Sequence, residues 1–239
     1  MRMTRLAGLN VRIAGGADRE GGGTGPVVVL LHGYGAPGTD LVPLARVLAV
    51  PREVRFVFPE ASLAPAELAP YGGRAWWQID IQALQQAMAE GRARERMNSV
   101  PEGLAAAREQ LVALLDAIQT ELNVSSDRIL LGGFSQGSML ALDVALRDVR
   151  PLTGLVLLST TPVSMHEWQP LMAARKGLCV LQTHGTHDTL LPHALAEEER
   201  DLLRAAGLDV TWISFMGGHE LPPNALDALS RFICQRFEL

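Results

Sequence analysis

The 239-residue chain is short of cysteine, lysine and aromatic residues, and each shortage excludes something. Its two cysteines, Cys179 and Cys234, cannot form a disulfide framework and show no CxxC or Cys/His metal-ligand spacing. Both are expected as buried core thiols, with a single disulfide the alternative. Lys176 is the only lysine among 21 basic residues, which reads as genomic base composition, because arginine and lysine differ mainly at bidentate or buried sites. The net charge is -5, and the largest basic cluster is Arg92, Arg94 and Arg96. That is too few aligned cations for the counterion release that drives nucleic-acid binding, so nucleic acid is not an expected partner. No run approaches the roughly 18 apolar residues of a membrane span, and Met1 to Leu9 holds no signal-peptide core. The expectation is a cytoplasmic protein with no stable membrane insertion. With 6 Phe and 4 Trp, any apolar pocket should be modest.

What the chain does have is apolar residues, 48% of the total, enough for one full core. A single domain over 1–239 is expected. Continuous apolar runs at Val27 to Leu31, Phe56 to Phe58, Ile129 to Leu131, Leu155 to Leu158, Leu178 to Leu181 and Val210 to Phe215 suit parallel strands buried on both faces, with a short leading strand near Leu9 to Ile13. Stretches with helical spacing alternate with them: Asp40 to Val50, Leu104 to Leu122, Ser138 to Leu146, His193 to Ala206 and Asn224 to Phe237. The class is therefore α/β, a mostly parallel doubly wound sheet with helices on both faces; there are too few units for an eight-fold barrel. About forty residues separate Phe58 from Pro101, far beyond ordinary connections, so a cap or insertion is expected at 61–100, with a polar helix over 82–97.

The segment Gly133-Phe134-Ser135-Gln136-Gly137 follows the strand at Ile129 and precedes a helix. A serine hydroxyl is a weak nucleophile unless it is lifted off the backbone and set beside a base, and a sharp strand-to-helix turn with small flanks does the lifting. Ser135 is the candidate nucleophile; the bland alternative is a helix-capping serine. A base and an orienting acid should follow at the ends of later strands. Asp188, in His184-Gly185-Thr186-His187-Asp188, and His219, after Gly217-Gly218, fit those places. Oxyanion donors would be the backbone amides of Gln136 and of Tyr34, in His32-Gly33-Tyr34-Gly35. His32 is expected to brace that loop. His184 and His187 with Asp188 also resemble metal-ligand spacing, although loop contacts explain both histidines and no metal is expected. Asp143 should face solvent or a neighbouring helix, and His166 and His193 should lie on the surface. Trp76, Trp77 and Leu63, with Met165 and Trp168, are candidates for an apolar acyl groove, with core packing the alternative.

The set Leu31-His32-Gly33-Tyr34-Gly35, Phe58-Pro59-Glu60-Ala61, Arg74-Ala75-Trp76-Trp77, Gly133-Phe134-Ser135-Gln136-Gly137, His184 to Asp188 with Leu191-Pro192, and Gly218-His219 resembles the phospholipase/carboxylesterase family of α/β-hydrolases, which includes acyl-protein thioesterases. The resemblance spans roughly residues 26 to 235. It implies an α/β-hydrolase fold, a triad of Ser135, Asp188 and His219, an oxyanion hole from the amides of Tyr34 and Gln136, and no cofactor. The chain departs from it in the extra stretch Gln82 to Met97 and in Ala36-Pro37-Gly38-Thr39-Asp40 after the first HG motif. The expected activity is hydrolysis of short- to medium-chain esters through an acyl-enzyme, with a small-molecule ester as partner. A lysophospholipase, a thioesterase, a serine peptidase or a non-catalytic binder of the same fold are the alternatives. The amphipathic C-terminal segment would suit its own sheet or a second subunit, leaving a homodimer open.

Overall fold

A computed structural model describes residues 1–92, 94–95 and 98–239. Its strands are β1 (Arg2–Leu6), β2 (Leu9–Gly15), β3 (Val27–Leu31), β4 (Arg55–Pro59), β5 (Ile129–Phe134), β6 (Gly154–Leu158), β7 (Cys179–Gly185) and β8 (Asp209–Phe215). They form one sheet in the order β1-β2-β4-β3-β5-β6-β7-β8. β1 and β2 pair antiparallel with each other and β2 antiparallel with β4; every later pair is parallel. β1 escaped the sequence reading because it alternates exposed and half-buried residues at the sheet edge and returns through Ala7 and Gly8, both at positive φ.

The helices are α1 (Leu44–Val47), α2 (Ile81–Ala89), α3 (Leu104–Glu121), α4 (Gln136–Arg147), α5 (Met165–Met172), α6 (His193–Ala205) and α7 (Pro223–Phe237). The helix expected over Asp40 to Val50 shrinks to one turn, since Pro43 and Pro51 remove amide donors at both ends. The one expected over 82–97 ends at Ala89, and residues 93, 96 and 97 of that stretch lie outside the described residues. Between β4 and α3 the chain also forms a bridge between Leu63 and Ala75 and a short 3₁₀ turn at Ala69–Tyr71.

The continuous apolar strands divide by alternation. Val27, Val29 and Leu31 of β3 enter a core with α3, α4 and α5, while Val28 and Leu30 enter a second core with α1 and α7. Ala228, Leu229, Phe232 and Ile233 of α7 are buried against the chain's own sheet. α4 is buried on every side from Gln136 to Leu146, with Asp143 wholly enclosed inside it. That carboxylate faces neighbouring side chains, accepting Arg108 Nη1 at 2.9 Å, Arg147 Nε at 2.9 Å and Trp168 Nε1 at 2.7 Å. A buried charge of this kind persists only when so paired. Cys179 and Cys234 are half-buried and form no disulfide, a correction to their expected burial: Cys179 is the first residue of β7, beside Arg236, and Cys234 lies on α7 near the Ala49 carbonyl.

Candidate active site

Register brings the sequence-predicted residues to one edge. Leu31 pairs with Gly133, Phe134 with Leu158, Leu158 with Thr183, and Gly185 with Phe215, so the loops after β3, β5, β7 and β8 leave the carboxyl side of the sheet together. In open α/β sheets this edge is where ligands bind.

Ser135 occupies the turn from β5 to α4 with φ 54° and ψ -121°, a conformation that non-glycine residues adopt only when their surroundings enforce it. The enforcement is visible. Ser135 N donates to Leu158 O at 2.8 Å, and Ser138 Oγ lies 2.6 Å from Gly133 O and accepts the Leu158 amide at 3.0 Å. A Cβ at Gly137 would fall 2.2 Å from Leu31 O, and one at Gly133 would fall 2.5 Å from the Gly137 carbonyl carbon, so no larger residue fits either flank.

The second group sits on the loops after β7 and β8. His219 Nδ1 lies 2.7 Å from Asp188 Oδ2, while Asp188 Oδ1 accepts the amides of Leu190 at 2.9 Å and Leu191 at 2.8 Å. Burial alone would push the Asp188 carboxyl up; the bonds from His219, Leu191 and Leu190 outweigh it and hold the group below the usual carboxylate range. The two loops meet because Gly185 has no side chain: a Cβ there would lie 2.2 Å from Gly218 O. The His219 ring packs on Phe134, centroids 4.7 Å apart. With Nδ1 facing Asp188, Nε2 has no partner among the described residues, on a ring that lines the same cavity as Ser135, a cavity of about 650 Å³.

The loop after β3 closes a third side. A Cβ at Gly33 would sit 3.3 Å from Ser135 Cβ, so this loop runs directly against the serine. Tyr34 and Gln136 both line the cavity, and among the described residues neither backbone amide has an acceptor within the protein. His32 braces the loop: Nδ1 donates to Gly33 O at 2.8 Å and Nε2 accepts the Ala61 amide at 3.1 Å, and burial lowers the ring's pKa. The Tyr34 hydroxyl lies 3.1 Å from Glu67 and 3.3 Å from Ile79 O.

The expected acyl groove is only partly there. Trp77 lines the cavity; Trp76 and Leu63 do not. Trp76 is buried with its indole donating to His32 O at 2.9 Å, which turns it into a prop for the loop, and Leu63 is 43% exposed on its bridge to Ala75. Trp168 and Met165 are core residues. The walls are instead Ile81, Leu84 and Val100 from the insertion, facing Val163, Leu190 and Leu195. They escaped the sequence reading because no motif marks them. The Gln136 side chain was also missed: its Oε1 accepts the Trp76 amide at 2.9 Å and its Nε2 donates to Trp77 O at 2.8 Å, clamping the tryptophan segment to α4.

Of the other histidines, His166 and His187 are exposed, whereas His193 is half-buried and bonded to Ser214 Oγ at 2.9 Å, because it opens α6 against β8. His184 is fully enclosed. No group of three or more His, Cys, Asp or Glu among the described residues is arranged to hold a metal ion.

Residues 20–236 match the family model described as Phospholipase/Carboxylesterase. Among curated proteins the chain is similar to acyl-protein thioesterase 1 of Neurospora crassa, 29% identical over 219 residues covering 87% of this chain and 86% of that one. It is also similar to acyl-protein thioesterase 1 of Emericella nidulans, 27% identical over 214 residues covering 86% and 88%. Among solved structures, esterase PE8 superposes with a TM-score of 0.75 at 25% identity, covering 94% of this chain and 99% of that one. The Bacillus cereus carboxylesterase has the same fold, with a TM-score of 0.70 at 20% identity over 96% and 95% of the two chains. The chain belongs to the phospholipase/carboxylesterase family, on an α/β-hydrolase fold.

Proposed function

We propose that the chain is a serine carboxylesterase that cleaves short- to medium-chain esters by two acyl transfers. The observation that carries this reading is the His219–Asp188 pair, 2.7 Å apart, opening onto the cavity that Ser135 lines from a strained elbow. His219 Nε2 takes the Ser135 proton as the hydroxyl attacks the ester carbonyl. Asp188 fixes the tautomer and stabilises the imidazolium. The amides of Tyr34 and Gln136 receive the oxyanion, the alcohol leaves with the proton, and water releases the acid by the reverse path. No cofactor enters any step. Segment 61–100 acts as the cap that walls the acyl pocket.

The named relatives make a thioesterase the second reading, and the same machinery would serve it. A lysophospholipase is less well supported. Asp40, Asp80 and Glu102 line the cavity and, among the described residues, no lysine or arginine does, so a phosphate headgroup would meet repulsion without a counter-charge. The test is a panel of p-nitrophenyl esters from acetate to palmitate beside a thioester and a lysophospholipid, run on wild type and Ser135→Ala. Turnover should peak on short to medium esters and fall about 10⁶-fold in the variant. Esterase activity that survives in Ser135→Ala refutes the reading.

A further inference from the structure

Asp188 has a neighbour that the proposed reaction leaves unused. His184, the residue before Gly185-Thr186, is fully enclosed. Its Nε2 lies 2.8 Å from Leu191 O and 3.4 Å from Asp188 Oδ2. Both neighbours are acceptors, so Nε2 carries the proton. Nδ1 is buried with no partner among the described residues, and protonating it would bury an unsatisfied N–H; burial accordingly lowers the ring's pKa, against the pull of the Leu191 carbonyl and the Asp188 charge. The ring is thus a neutral donor with one tautomer.

What it donates to matters. Leu191 contributes its amide to Asp188 Oδ1 and its carbonyl to His184, so the peptides on both sides of this one residue are held. The residual reach of the same N–H toward Oδ2 places it on the oxygen that receives His219. The other titratable groups facing this ring are His193 of α6, centroids 6.0 Å away and itself 3.4 Å from Glu197, and His219.

We propose that His184 is a positioning residue: it clamps the 188–191 turn and with it the angle at which Asp188 presents its carboxylate to His219. The inference rests on the reading of Ser135, His219 and Asp188 as a triad. The loss of such a support costs rate without contact to substrate, because small misplacements of a reacting constellation are expensive.

The experiment compares His184→Phe, which removes the donor, with His184→Gln, whose amide can reach the Leu191 carbonyl. Rates on p-nitrophenyl acetate are normalised to the fraction labelled by a fluorophosphonate. In His184→Phe, kcat should fall about ten- to a hundred-fold with KM within about two-fold. The acid limb of kcat/KM should move to lower pH, since a misaligned Asp188 stabilises the imidazolium less. His184→Gln should restore most of both. In proton NMR of substrate-free protein, the low-field signal of the His219 Nδ1–H should weaken or move upfield in His184→Phe and return in His184→Gln. A merely structural histidine would lower Tm and labelled fraction while leaving the acid limb, the normalised kcat and the low-field proton unchanged; that result overturns the proposal, as does failure of His184→Gln to differ from His184→Phe. Ser135→Ala run alongside separates this from failure of the underlying reading, which would appear as residual turnover there.

Discussion

Ser135 follows β5 directly and Asp188 and His219 sit on the loops after β7 and β8, strands locked in register, whereas Ile81, Leu84 and Val100 reach the cavity from a segment with few ties among its described residues. On the strand side each backbone turn is held by several bonds: Leu158 and Ser138 fix the elbow, and Leu190, Leu191 and His184 fix Asp188. On the insertion side, Gln136 clamps Trp76 and Trp77 and Tyr34 reaches Ile79, but beyond Ile79 the hydrogen bonds of α2 are largely its own. Asp80 caps the Ala83 amide and Gln86 bonds Glu90. Among the described residues, the returns to the body include an exposed Arg94–Glu198 pair at 2.7 Å and the Ser164 amide on Ser99 O at 3.3 Å. An exposed ion pair contributes about 1 kcal/mol at most. On the proposed reading the chemistry is anchored in the sheet, and selectivity belongs to a wall that can vary without disturbing it.

Three substitutions probe that division beyond Ser135→Ala, whose loss of about 10⁶-fold should be the largest. Asp188→Asn keeps the shape of the turn but supplies an amide where a carboxylate held His219. The rate should fall about 10⁴-fold on every ester alike, measured as kcat across the chain-length panel. A chain-length-dependent loss would show that the strand side also governs selectivity.

Glu199 tests what the rigid side costs. It is enclosed on α6, its Oε2 accepting Gln182 Nε2 at 3.1 Å, and burial pushes its pKa up to about 8 from 4.5. A folded-state pKa above the unfolded one means that, between pH 4.5 and about 8, the unfolded chain has released a proton that the folded chain keeps. Folding stability then falls with rising pH, by about 1.4 kcal/mol per unit across that window. Glu199→Gln removes the slope. Its Tm should match wild type near pH 5 and exceed it by about 5 °C or more at pH 8, read by calorimetry. An equal difference at both pH values would mean that the carboxyl is not neutral in the fold.

Leu84→Trp addresses the other side with the smallest effect. Filling the wall should lower kcat/KM on decanoate about ten-fold relative to acetate, with the acetate rate unchanged. Equal losses on both would place α2 in the reacting machinery.

The same division governs what could be read from the sequence. The strand side was legible because strained turns and close approaches demand particular residues: Gly133 and Gly137 at the elbow, Gly217 and Gly218 before His219, Asp188 and His219 after apolar runs. Helices with clear period, such as α3 and α7, were found within a residue or two. The wall was not legible, since Ile81 and Leu84 look like any apolar residues of a polar helix. Trp76 and Leu63 drew attention by their size, and tertiary contacts sent one to His32 and the other to the surface. Glu199 hid in the run Glu197-Glu198-Glu199, which reads as a solvated face. Only its spacing of four from Leu195 and from Leu203 puts it on the buried stripe.

The most direct measurement is the intact mass of the protein after exposure to a fluorophosphonate, followed by peptide mapping. Wild type should gain one phosphonyl group, on Ser135, and the gain should vanish in Ser135→Ala and slow by orders of magnitude in His219→Ala. No gain, or a gain on another residue, would contradict the claim that this elbow carries an activated nucleophile.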